Sequence, residues 1–248
     1  MSDRTVLRLS GADVGTFLQG LVTNDVNKVT DGLVYAALLT PQGKYLADFF
    51  LAADGEDILM DVASELAPGL MQRLSLYKLR ADVTIADSGL HVHRGVDALP
   101  ADGLADPRHA TLGWRAYRAE PAPETDVDWT ALRVAEVVPE TGVELTPDSY
   151  ILEAGFEALN GVDFRKGCYV GQEVTARMKH KTTLRKGLAQ VGVTGAVTPG
   201  TDIMSGDRVV GTLYSQAGGR GIAHLRFDHA QPEMQAGDAR VTWDGGGN

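Results

Sequence analysis

The sequence predicts an α+β region over residues 1–183 and a short all-β module, sandwich or barrel, over residues 184–248. Three patterns carry that expectation. Apolar runs at 34–39, 45–51 and 58–62 are separated by turn residues, as in an antiparallel meander. Leu66, Leu70, Leu74 and Tyr77 recur at spacings of three and four, the period of one helix face. Beyond Leu184, short alternating segments are broken again and again by glycine, with no helical period.

Element by element, Ser10 is placed to cap a short helix through Ala12, Val14, Phe17 and Leu18 that closes at Gly20. Polar Thr23-Asn24-Asp25 then turns the chain. The run at 34–39 is apolar throughout, as a buried strand is, and Thr40-Pro41-Gln42-Gly43-Lys44 returns it as the second strand. Asp54-Gly55-Glu56-Asp57 leads into the third. After the helix, residues 78–85 alternate as a strand, and 91–94 and 113–118 read as shorter ones. A loop rich in proline and acids covers 119–128, and Asp128 is placed to cap a helix holding Trp129, Leu132 and Ala135. The glycine-rich end at 244–248 is expected to fray.

A chain of 248 residues, 44% hydrophobic and 23% charged, can bury a sizeable core. No apolar run approaches the roughly 18 residues of a membrane span. The polar start and the single cysteine, which excludes an internal disulfide, give no sign of export, so a cytoplasmic or organelle-matrix protein is the default, with cytoplasmic the expectation; a monomer is expected as well. The net charge of −10 argues against wrapping nucleic acid. That charge is uneven. Between Arg165 and Lys186 stand seven basic residues against the single acid Glu173, so the stretch is +6 and the remainder −16. Such a patch suits a small anionic ligand or a limited anionic partner; it also suits a solvated loop. The six histidines form no compact metal pattern, and no metal is expected.

The lone cysteine lies in Lys166-Gly167-Cys168-Tyr169-Val170-Gly171-Gln172-Glu173. Two cations, Arg165 and Lys166, precede it, and Gln172 to Met178 can wind as a helix just beyond it. Nearby positive charge and a helix N-terminus both favour thiolate. The alternative is a small buried hydrophobe.

Residues 159–177, reading LNGVDFRKGCYVGQEVTAR, resemble the signature of the YgfZ-type folate-binding proteins, relatives of the glycine-cleavage T-protein, the tetrahydrofolate-dependent aminomethyltransferase. Phe17-Leu18-Gln19-Gly20, Thr23-Asn24-Asp25, Thr40-Pro41-Gln42-Gly43-Lys44 and Tyr77-Lys78-Leu79-Arg80 match as well, and the likeness is weakest over 86–128. The resemblance implies a T-protein-like fold around a central cavity, with a C-terminal β-barrel. It further implies a bound tetrahydrofolate and a role in assembly or repair of iron–sulfur clusters in client enzymes. A single thiolate cannot hold a cluster alone, which fits a helper better than a ferredoxin.

On this reading Cys168 is the working thiol, with Lys166 to keep it ionised. Arg177 suits folate carboxylates, which a guanidinium binds bidentately. Asp48, Asn24, Arg80, Tyr169, Gln172 and Glu173 are the other candidate folate contacts, and Gly167 and Gly171 are expected to be required by the backbone. T-proteins carry an Arg-x-Glu-Ala-Gly segment whose best match here, Arg133-Val134-Ala135-Glu136-Val137, displaces the acid and lacks the glycine. Aminomethyl transfer is therefore the second reading, and a ligand-free interaction scaffold the third.

Overall fold

The computed structural model describes residues 3–181 and 183–246. Its contacts divide the chain into two compact units. One comprises Ser2–Val127 and Leu159–Val174, the other Asp128–Ala158 and Thr175–Asn248. The division is not the single cut at residue 183 that the sequence suggested, because 128–158 packs with the C-terminal strands and 159–174 returns to the first unit.

The first unit is built on an antiparallel sheet of β1 (Arg4–Ser10), β2 (Val34–Leu39), β3 (Tyr45–Asp54), β4 (Asp57–Ala63) and β5 (Thr84–Asp87), in the order β2-β3-β4-β1-β5. The expected meander is present as β2-β3-β4. Strand β1, not anticipated, fills the place beside β4 with Leu7 opposite Met60. The short helix α1 (Val14–Gln19) begins after Asp13 rather than Ser10, and Gly20 closes it. Helix α2 (Ala67–Tyr77) buries Leu70 and Leu74 as its spacing required. A small sheet, β6 (His91–Gly95), β7 (Leu104–Ala105) and β8 (Trp114–Arg118), has the order β6-β8-β7.

Because strand side chains alternate, the large sheet has two distinct faces. One is an apolar core in which Leu7, Leu9, Phe49, Leu51, Met60 and Val62 pack with Leu18, Leu70 and Leu74. The other carries charge. Tyr35 lies opposite Phe50, and Phe50 opposite Asp61, so all three project to one side.

In the second unit, helix α3 (Trp129–Ala135) starts at Asp128, whose carboxylate accepts from the Ala131 amide at 2.9 Å, the cap expected. Helix α4 (Gln172–Lys181) runs from one unit into the other along the chain. The strands β9 (Lys186–Thr194), β10 (Thr201–Ser205), β11 (Arg208–Ala217), β12 (Arg220–Arg226), β13 (Glu233–Ala236) and β14 (Ala239–Thr242) form a barrel. Pairing of Ile203 with Ala236 closes it. Closure leaves no sheet edge, and Val191, Ile203, Leu213, Leu225 and Val241 fill the interior. Of the end expected to fray, residues 247 and 248 lie outside those described.

Candidate functional site

Residues 159–174 form a strap stitched to the first unit at two places. At its start, Asn24 donates to the carbonyls of Asn160 and Tyr35, at 2.7 and 2.8 Å. The Thr23 hydroxyl donates to Gly161 O at 2.7 Å, and the Asp163 amide donates to Thr23 O. The Asp163 carboxylate takes the Lys28 ammonium at 2.7 Å, which holds the acid below its ordinary range. Lys166 turns inward, its ammonium donating to the carbonyls of Gln19, at 2.9 Å, and Val22 and lying 5.3 Å from the Tyr169 ring centre.

The second stitch is steric. Gly171 has φ 85°, and a Cβ built there would stand 2.6 Å from Thr40 O and 3.0 Å from Leu39 Cβ. At Gly43, with φ 76°, an added Cβ would stand 2.9 Å from Val174 Cβ. The sequence segments 17–20, 23–25 and 40–44, which the motif match singled out separately, thus meet on one strap.

Between the stitches, Gly167 and Cys168 stand exposed. The buried-hydrophobe alternative for Cys168 does not hold. Lys166 is not placed as expected: burial brings it down to about 8, against the pull of Asp25 and Asp163, and its hydrogen bonds go to backbone carbonyls. Its observed work is anchoring the strap. Gly167 is not a backbone requirement either, since an added Cβ would meet nothing within 4 Å. Tyr169 is buried, Gln172 and Glu173 form the first turn of α4, and Arg177 is exposed further along it. Arg80 is exposed in the turn after α2 and is not brought to the strap's hydrogen bonds.

The strap also walls a cavity of about 390 Å³, lined by Asn24, Lys28, Asp31, Tyr35, Pro107 and Asn160 among others. A reduced folate asks for flat apolar walls, an acceptor for ring N–H groups and a cation for carboxylates. Pro107, Asp31 and Lys28 line it, and the volume suits a small-molecule site. Lys28 is shared with Asp163, and the Tyr35 ring is fully buried against Phe50 with its hydroxyl on Asp48, so that ring offers no exposed aromatic wall. The donor set fits. Asp48, the expected acceptor, does not line this cavity. Its oxygens accept from the Tyr45 hydroxyl at 2.6 Å and the Tyr35 hydroxyl at 3.0 Å, in the interior.

Behind Tyr35 lies a charged cluster that the sequence reading missed. Asp61, fully buried, accepts from Arg4 at 2.6 Å and Arg115 at 2.9 Å. Arg108 binds Asp106 through two nitrogens, at 3.0 and 2.8 Å. The guanidiniums of Arg115, Arg108 and Arg4 lie 3.9, 4.7 and 5.8 Å from the Phe50 ring centre. Burial would raise both carboxyls, yet the arginines hold Asp61 below the usual range and Asp106 at about 2. Burial and the neighbouring Arg115, Arg108 and Arg4 bring Arg94 down to about 9. A sequence signal existed: Asp48 and Asp61 are lone acids inside apolar strands.

Arg133, of the T-protein-like segment, is buried in the second unit and paired to Glu140 at 2.9 Å and Glu144 at 3.3 Å. Val137, where that segment's glycine would be, keeps a left-handed φ of 52°, which a β-branched residue adopts only when its surroundings impose it. No cluster of three metal-ligating side chains occurs among the described residues. No helix among them is long and apolar enough to cross a membrane.

Comparison with known proteins accords with this geometry. Residues 185–245 match the family described as CAF17, C-terminal beta-barrel domain. The glycine cleavage system aminomethyltransferase T of Bartonella henselae superposes with a TM-score of 0.75 at 12% identity, over 97% of this chain and 82% of that one. The chain therefore has the T-protein fold completed by a C-terminal barrel. The mouse iron–sulfur cluster assembly factor IBA57, mitochondrial, is 30% identical over 92% of this chain and 77% of its own length. The human protein of that name is 30% identical over 91% and 76%. The Mycosarcoma maydis homologue is 34% identical over 79% of this chain, which spans 57% of its length.

The chain belongs to the IBA57 family. The YgfZ-type proteins, to which its motif pointed, are a related family. The cytoplasmic expectation is overturned, since these relatives are named as mitochondrial. A lone cysteine and a polar start describe the contents of any reducing compartment and could not separate the two.

Proposed function

We propose that this chain is a tetrahydrofolate-binding accessory protein that supports assembly of iron–sulfur clusters in client enzymes, with Cys168 as its working thiol. The observation that carries this reading is the strap. One segment walls the cavity at Asn160 and presents the only thiol, exposed and six residues beyond Val162, which also lines the cavity. Asp31 and Lys28, which Asp163 also holds, would take the ligand's polar and charged groups, and Pro107 would lie against its ring. Reduced folate, when bound, supplies a reduced pterin able to carry a one-carbon unit. Lys166 and Gly171 fix the strap on either side of Cys168, so the thiol is offered to a partner's iron or sulfur without a search through loop conformations. A single thiolate completes a cluster's ligand set only together with another protein, which accords with transient assistance.

The test has two arms. In cells lacking the chromosomal copy, Cys168→Ala is expected to leave iron–sulfur enzyme activities at the level of the deletion while the purified variant keeps its circular dichroism. Restoration equal to wild type would make the thiol incidental. Titration of the wild-type protein with formyl-tetrahydrofolate is expected to give heat and thermal stabilisation. If both are absent, folate drops out of the reading and the thiol remains.

A further inference from the structure

We infer that filling the cavity beside the strap and holding Cys168 in place are one event, coupled through Asn160 and Lys28. This rests on the reading above, which makes a reduced folate the occupant. The cavity has two kinds of wall. Asn160 and Val162 belong to the strap, while Asn24, Lys28, Asp31 and Pro107 belong to earlier segments of the same unit. Asn160 bridges the two. Its carbonyl accepts from Asn24 at 2.7 Å, and its side-chain amide donates to Pro107 O at 2.8 Å. It does so from a left-handed backbone, φ 53°, which asparagine tolerates better than most residues.

The Asn24 side chain is saturated within the protein. Its amide donates to Tyr35 O and Asn160 O, and its carbonyl accepts from the Asp25 amide and Lys28. It holds the wall and leaves the ligand to others. Lys28 differs. An ammonium has three N–H groups, of which Asp163 and Asn24 take two, so one remains for an acceptor on the ligand. Asp163 lies on the strap five residues before Cys168, and its other oxygen accepts the Arg165 amide at 2.7 Å. A molecule that meets Asn160, Val162 and Lys28 together binds only where the strap is docked. A ligand stabilises the state it binds, so occupancy steadies the segment that carries the thiol. By reciprocity, loosening the far stitch lowers the ligand's affinity, although neither Lys166 nor Gly171 lines the cavity.

Hydrogen exchange and calorimetry on the full chain, with formyl-tetrahydrofolate as the probe, test the coupling. The reporter is the Asp163 amide, which donates to Thr23 O at 3.0 Å. At a free concentration about nine times the Kd, its exchange is expected to slow about tenfold, the factor by which binding disfavours opening. The Leu188 amide, bonded to Glu153 O in the second unit, should exchange as before. Lys166→Met is expected to weaken binding about threefold, the docked fraction having fallen to roughly a third, with circular dichroism verifying the fold. Gly167→Ala, on the same strap but facing open space, should bind as wild type does. Heat of binding with unchanged Asp163 exchange would overturn the coupling and leave folate binding standing. Equal affinity of Lys166→Met and wild type would overturn it too. Absence of heat would remove folate binding and the coupling together.

Discussion

Asp61→Asn is expected to destabilise the first unit by about 3 kcal/mol, because removing one partner of a buried pair leaves the other charge uncompensated. Here two guanidiniums, those of Arg4 and Arg115, lose their shared carboxylate in the interior. Asparagine keeps the shape and some hydrogen bonds, so the loss reports charge rather than volume. Urea unfolding followed by circular dichroism should move its midpoint accordingly. A shift equivalent to less than about 1 kcal/mol, the scale of an exposed pair, would mean that water reaches the site. The same cluster sets an acid limit. Asp61 and Asp106 have folded pKa values below the unfolded ones, so their contribution is complete above about pH 4. It is lost as the pH falls through the folded values, toward about 2 for Asp106. Wild type should therefore lose stability across that window, and Asp61→Asn should show a shallower loss.

Gly171→Ala is the second large effect, about 2–4 kcal/mol, combining a left-handed backbone with overpacking. The added methyl would stand 2.6 Å from a backbone oxygen at φ 85°, where neither group can yield cheaply. Four residues earlier, Gly167→Ala should change stability by no more than about 0.5 kcal/mol, as ordinary surface substitutions do. Thermal melts of the two variants side by side decide the matter. Equal effects would contradict the stitching of the strap. In the cellular assay Gly171→Ala should also impair function with Cys168 intact, since the thiol's placement depends on that contact.

Motif glycines that look alike in sequence thus differ in structure. The difference lies in what faces them, which no single sequence displays. The same limit explains the other gaps. Strands β2, β3 and β4 were legible because apolar runs and turn residues are local signals, and the barrel because glycine punctuates its alternation. Strand β1 was obscured by Arg4 and Arg8, whose partners lie in and beside β4, on the far side of long connections. In sequence Lys166 stands beside Cys168, yet its acceptors are carbonyls 144 and 147 residues away, and a backbone carbonyl leaves no mark in a sequence. The Asp61 cluster draws Asp106, Arg108 and Arg115 from 86–128, where the family likeness was weakest. The cavity was expected near Asp48. The strand position was right, but Tyr35 and Tyr45 take up that carboxylate, and open space lies instead beside the strap.

A solitary, solvent-facing sulfhydryl has a practical corollary. Maleimide dyes or nitroxide probes should attach stoichiometrically to native material, without prior removal of competing sites. Their rotational freedom would then report directly on how firmly the anchored segment is held when ligand or client is added.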